Sequence, residues 1–244
     1  ENWWKYRKDK VAQLIQFYDT DIVGLQEVLQ GQLDDLEERL PAYEWFGVGR
    51  DDGKTKGEYS PVLYNAEKFE LLEHNTFWLS ETPDVPGSKD WDAAITRICS
   101  WAKFRDKKTD EEFYFFNTHF DHRGVEAREQ SAALIAQKIT EIAGDTPVIL
   151  TGDFNAAPTT PAYQNLVAGK NALTDAIEAS QRPHYGPLGT FNGFRQPEED
   201  DGRRIDYVFV KNGVNVHKHA ILTDSWGGKL PSDHFPVLAE VSLP

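Results

Sequence analysis

The chain has 244 residues, a net charge of −14, a single cysteine and no methionine. A chain of this length hides roughly 70–75% of its unfolded surface, so it needs no disulfide or structural metal to fold, and the lone Cys99 excludes an intrachain disulfide scaffold. The acidic balance argues against a protein laid along extended duplex DNA, where lysines and arginines set the affinity, yet it leaves phosphate chemistry open, because a bound cation can be the largest positive charge at a site.

Residues 5–18 place Val11, Leu14, Ile15 and Tyr18 at helical spacing. Asp21 to Leu25 reads as a short buried strand running into Gln26-Glu27, and Leu29, Leu33, Leu36 and Leu40 predict a helix stopped by Pro41. Strands follow at 43–49, 58–64, 69–79, 94–105 and 112–118; in the fourth, Ile95, Arg97, Cys99 and Trp101 share one face. Ala132, Ile135, Ala136 and Ile139 mark a helix over 125–143, and Pro147 to Leu150 is a strand entering Thr151-Gly152-Asp153. A short helix near 160–168 and strands near 205–210, 214–222 and 236–242 complete the chain, with a solvated loop at 195–204. No apolar run reaches the roughly 18 residues of a membrane span, and no secretory core is visible. The chain does not begin with methionine, so residues are expected to have been lost upstream; a secreted or periplasmic location stays open. Interleaved strands and helices without a linker predict one domain over residues 1–244, an α/β sandwich of two packed sheets with helices outside. A Rossmann fold fits poorly, for want of a glycine fingerprint after the first strand.

Polar clusters stand where apolar runs end: Gln26-Glu27, Asn117-Thr118-His119, Gly152-Asp153-Phe154-Asn155 and Ser232-Asp233-His234; a fifth, Arg204-Ile205-Asp206-Tyr207, opens a run. Strand ends let a rigid sheet aim side chains into a shared cleft. Glu27, Asp153, Asn155 and Asp233 offer the oxygen ligands a hard cation needs. An aspartate or histidine can activate water, and Asn155 with protonated histidines can donate to charge developing on phosphorus. Each cluster alone also reads as an ordinary turn or surface group; the ordered set points to phosphate-ester hydrolysis. Neither a Gly-x-Ser-x-Gly elbow nor a His-Glu-x-x-His helix is present.

With these motifs in this order, the chain resembles the endonuclease/exonuclease/phosphatase superfamily of deoxyribonuclease I-like phosphoesterases, from about Asp21 to Val241. The resemblance implies a four-layer α/β sandwich of two mixed sheets flanked by helices, and a Mg²⁺-dependent hydrolase, with Mn²⁺ as a second ion. It implies Glu27 as a metal ligand, joined by Asp153, Asn155, Asp233 and His234. Asp153 would position or deprotonate water, Asn155 would hold a phosphate oxygen, and Asp206 would fix the tautomer of His234. His119 would contact the phosphate or leaving group, and Glu58 would orient His119. Family members begin with a strand ending in an asparagine; Asn2 leads instead into Trp3-Trp4 and a basic helix, so that strand is expected to be missing from the sequence. Arg97 reads as a phosphate contact or, with more weight, a cross-strand ion pair. His122 and Arg123 could line the cleft, Arg128 suits a surface pair with an acid, and Phe191, Phe194 or Trp226 could stack a sugar or base. The expected partner is a small or single-stranded phosphate ester, handled by a monomer. A nuclease, a non-catalytic scaffold of the same fold, and a metal-free carbohydrate enzyme working with two carboxylates are the rival readings.

Overall fold

A computed structural model describes residues 2–244. A 3-10 turn at Trp4–Tyr6 leads into α1 (Lys8–Phe17), β1 (Ile22–Gly24), α2 (Gln30–Arg39), β2 (Tyr43–Phe46) and β3 (Val62–Asn65). Then come β4 (Phe69–Trp78), β5 (Ile98–Asp106), β6 (Glu112–His119), α3 (Val125–Ala143) and β7 (Val148–Asp153). The chain closes with α4 (Pro161–Val167), β8 (Thr174–Asp175), α5 (Ala176–Ala179), β9 (Asp206–Lys211), β10 (Asn215–Ile221) and β11 (Val237–Ser242). All the expected helices and strands form. The additions are β8 and α5, two and four residues long, too short for hydrophobic periodicity to register.

Six strands make one mixed sheet in the order β4-β5-β6-β7-β9-β8; three make a second, β1-β3-β2, and β10 pairs with β11 as a hairpin. Both faces of the six-stranded sheet are apolar, which is why it must be covered twice. On one face Phe116, Leu150 and Phe209 pack with Ile135 and Ile139 of α3 and Leu166 of α4. On the other, Phe104, Phe115, Ile149 and Val208 meet Phe46, Val62 and Tyr64 of the small sheet and Val216 of the hairpin. The outer side of the small sheet packs Leu63 against Ile15 of α1 and Leu33 and Leu36 of α2. Helices, sheet, sheet, helices: the four-layer sandwich is the expected architecture.

β2 ends at Phe46 rather than at 49, and two further strands start four residues later than their hydrophobic pattern. β5 starts at Ile98 rather than at 94, because the backbone N–H groups of Ala94 and Ile95 donate to the Asp121 carboxylate at 3.0 and 3.1 Å and so leave the ladder. β3 starts at Val62 rather than at 58: Pro61 has no N–H to give, and upstream Arg50 N bonds Glu58 O across a tight loop. The two sheets approach closely at Gly24, where a Cβ would lie 2.3 Å from Thr151 Oγ1; only glycine allows β1 to sit over β7 there. Cys99 is fully buried, and burial pushes its thiol pKa up, so it packs as an inert group.

Candidate active site

Register places the site. β6 runs parallel to β7 with His119 opposite Asp153, and β7 antiparallel to β9 with Asp153 opposite Asp206. Three adjacent strands thus carry His119, Asp153 and Asp206 abreast, at one end of the sheet. Alternation puts them on the face of Phe115, Ile149 and Val208, toward the small sheet. His119 Nε2 lies 3.3 Å from Asp153 Oδ2, and Asp206 Oδ2 lies 2.8 Å from His234 Nδ1. His234 arrives from the loop before β11, held there by a backbone bridge to Phe191.

Asn117 positions Glu27 from below. Its side-chain amide donates to Leu25 O at 2.7 Å and Pro61 O at 3.0 Å, while its Oδ1 accepts from Gln26 Nε2 at 2.7 Å and Thr151 Oγ1 at 3.0 Å. This buried amide ties the segment before Glu27 to β6 and β7. Glu27 then turns with φ 59°, a left-handed conformation that is strained for a residue with a Cβ. Asn155 has φ 47°; its backbone N–H donates to Asp153 Oδ1 at 2.8 Å, so Gly-Asp-Phe-Asn is a turn as well as a site. The Asn155 amide contacts His119 Nε2 at 3.2 Å and donates to Phe120 O at 3.1 Å.

One cleft of about 470 Å³ is lined by Glu27, Glu58, His119, Asp153, Asn155, Asp233 and His234, with Arg97, His122, Phe191 and Arg203 on its walls. Glu27, Asp153, Asp233 and His234 therefore share one space. Asp206 stands behind, reached through its bonds with His234. Glu58 has a different partner from the one the resemblance implied: its carboxylate is bonded to Arg50 rather than turned to a ring nitrogen of His119. Asn2 takes no part in the cleft; its backbone carbonyl accepts from Arg7 Nε at 2.8 Å.

Electrostatics divide the two histidines. Burial and the charges of Arg97 and Arg50 hold the His119 pKa well below the usual imidazole range, so His119 is neutral and is not the protonated donor that was expected. Burial alone would lower His234 too, but the Asp206 hydrogen bond and charge outweigh it, with Asp153 and Asp233 adding, and its pKa stands at about 9. Asp153 is pushed up to about 7, first by burial and then by the neighbouring Asp206 charge. Glu27 is raised by burial and by the like charges of Glu58 and Asp233.

These carboxylates fit a divalent cation. Glu27 and Asp233 are hard oxygen donors crowded in a desolvated cleft, and a cation among them would remove the repulsion that raises Glu27. Asp153, Asp206 and His234 each offer a ligand atom within 4.8 Å of the others. His234 Nδ1 is already committed to Asp206, and a charged imidazole is a donor rather than a ligand, so the acids carry the fit.

Other groups that sequence reasoning left without a role close the site. Arg7, at the head of α1, donates to Pro231 O at 2.7 Å and lies 5.0 Å over the Phe194 ring; its charge faces Asp233 and Glu27. Thr190 Oγ1 accepts from the backbone of Ile205 at 3.0 Å and of Asp206 at 3.2 Å, fixing the start of β9. No spacing signal marks either, since each acts on a segment far away in the chain. Of the three loop aromatics, Phe191 lines the cleft and packs edge-on to His234 at 5.2 Å. Phe194 packs under Arg7, and Trp226 pairs with Lys229 in a tight turn. Among the described residues Arg128 makes no pair with an acid; it donates to Asp121 O at 2.9 Å.

The Endonuclease/Exonuclease/phosphatase family model matches residues 1–234. A structure from Bacteroides vulgatus described as an endonuclease/exonuclease/phosphatase is 46% identical and superposes with a TM-score of 0.95, covering 99% of this chain and 92% of that one. A mannosyl-6-phosphatase from Bacteroides thetaiotaomicron is 43% identical with a TM-score of 0.92 and the same coverage. Protein angel of Drosophila melanogaster is 26% identical over 90% of this chain and 62% of its own length. The chain spans about three-fifths of the first two curated relatives it matches, 62% and 59%. It belongs to the Endonuclease/Exonuclease/phosphatase family.

Proposed function

We propose that this protein hydrolyses phosphate esters by attack of a water held in the cleft, with a divalent cation, Mg²⁺ or Mn²⁺, at the acidic wall and no covalent intermediate. The supporting observation is the row His119, Asp153, Asp206 on three adjacent strands, closed by His234. Glu27 and Asp233, with help from Asp153, would hold the cation, which would supply charge neutralisation at the phosphate oxygens. Asp153 takes the proton of the attacking water. His234, kept charged by Asp206, donates to the negative charge developing on phosphorus, and the Asn155 amide adds a second donor. Neutral His119 braces Asp153 and Asn155 at hydrogen-bonding distance.

The substrate is a small or single-stranded phosphate ester. A net charge of −14 repels a long polyanion outside the immediate reach of the cation, and the similarity to a mannosyl-6-phosphatase supports a small ester. Asp153→Ala should retain less than about a tenth of wild-type turnover with Mg²⁺ present, and chelation should abolish turnover until the ion is restored. Activity in excess chelator would reject the reading. A second reading, cleavage of single-stranded nucleic acid, draws on Phe191, 37% exposed at the cleft wall with Arg203 5.4 Å over its ring, because an aromatic and a guanidinium form a base-stacking platform. Release of nucleotides from a single-stranded oligonucleotide, lost in Phe191→Ala, would favour it.

A further inference from the structure

Arg97 brings a positive charge to the cleft wall with 5% of its surface exposed. Its Nε and Nη1 are buried and have no hydrogen-bond partner among the described residues. Asp121 Oδ2 is 3.9 Å from Nε, beyond hydrogen-bonding distance. Both Asp121 oxygens are already engaged: Oδ2 accepts from the backbone of Ala94 and Ile95, Oδ1 from that of Arg123 and Gly124. The expected ion pair is therefore present only as a 3.9 Å contact of charges, without a hydrogen bond. The neighbouring Arg50 is bonded to Glu58, and among the described residues Arg97 Nη2 meets only a ring nitrogen, His122 Nδ1, at 3.3 Å. A buried guanidinium without an acid to bond is costly unless an anion completes it. Asp121 fixes the geometry: one carboxylate pins residues 94–95, just before Arg97, and residues 123–124, just after His122.

We propose that Arg97, with His122 beside it, is the subsite for the second negative charge of a phosphate monoester, and that it makes the enzyme prefer monoesters to diesters. The proposal rests on the phosphoester-hydrolase reading above and names the substrate class. A monoester offers three non-bridging oxygens and, near neutral pH, a charge approaching −2; the planar fork of an arginine matches two such oxygens at once. A diester keeps only two non-bridging oxygens and a single charge, so once these face the cation and His234 no second charge remains for the guanidinium.

The test compares Arg97→Gln and Arg97→Lys with wild type on p-nitrophenyl phosphate and bis(p-nitrophenyl) phosphate, with Mg²⁺. Arg97→Gln should lose about 100-fold in kcat/KM on the monoester with the diester nearly unchanged, and Arg97→Lys should recover part of the loss. Equal losses on both esters, or an intact monoester rate, would overturn the assignment. Wild type inactive on both esters would count against the hydrolase reading itself, and Arg97 is then judged by calorimetry of inorganic phosphate with the full chain. There Arg97→Gln should bind about tenfold more weakly, and unchanged affinity would overturn it. Should Arg97→Gln fail to fold, Arg97→Lys carries both measurements; a lysine variant equal to wild type in monoester preference and phosphate affinity rejects the need for the guanidinium fork.

Discussion

Asp206 and His234, 28 residues apart in the chain, are joined by a 2.8 Å hydrogen bond between Oδ2 and Nδ1. The bond leaves Nε2 of His234 as the ring atom free to act, and keeps the ring charged at neutral pH although burial opposes that charge. Below pH about 6.5 the ring is charged in the folded and unfolded chain alike, and the pair contributes its full stability. That contribution is lost as pH rises through about 9.

Replacing Asp206 by Asn keeps the shape and removes the charge. In the metal-free protein the His234 ring titration, followed by NMR, should fall from about 9 toward or below the ordinary histidine value. Turnover should drop about 100-fold, with the alkaline limb of the pH profile moved to lower pH. A His234 titration unchanged in Asp206→Asn would refute the pairing as the source of the charge.

Glu27→Gln separates a cation ligand from a structural acid. Glu27 is raised by burial and by the charges of Glu58 and Asp233, so its ionised form strains the metal-free fold. A neutral glutamine of the same size should raise the metal-free melting temperature by a few degrees, the equivalent of about 1 kcal/mol. The further rise that Mg²⁺ confers on wild type should largely vanish. If the variant melts lower and still responds fully to Mg²⁺, the acid belongs to the scaffold and the cation sits elsewhere.

How far the site could be read from letters depended on where each determinant lies. α3 was legible to the residue, Val125–Ala143, because its 19 positions repeat one stripe many times. The strand-end clusters were legible because apolar runs stop abruptly at Glu27, His119 and Asp153. Their meeting was not: it depends on the β6/β7/β9 register, which no local pattern encodes. Asn117 stood inside a quoted motif, but its role depends on Leu25, Gln26 and Pro61, separated from it by 92, 91 and 56 residues. Asp121 was invisible for the same reason; its four donors come from two loops. The state of His119 was not legible because burial between the sheets, and then the charges of Arg97 and Arg50 from other segments, lower its pKa. Composition and periodicity report what a residue can do, and long-range packing decides which of those things it does.

Away from the cleft, His184 and His219 predict an acid-sensitive fold. Their Nδ1 atoms are 2.9 Å apart, and His184 Nε2 lies 2.8 Å from Pro187 O. With Nε2–H donating to that carbonyl, neutral His184 accepts at Nδ1 from His219 Nδ1–H. His219 is 2% exposed; burial, then the charges of His184 and Arg204, lower its pKa to about 4. Between the ordinary value of about 6.5 and this one, the unfolded chain takes a proton that the folded chain refuses, so stability falls as pH drops through that window, by roughly 3 kcal/mol in full. Urea unfolding at steps from pH 7 to 4.5 should show this decline in wild type. His219→Gln keeps a donor for His184 and removes the titration, so it should be less stable at pH 7 and decline less steeply. Parallel curves for the two proteins would show that the histidine pair does not set the acid limit.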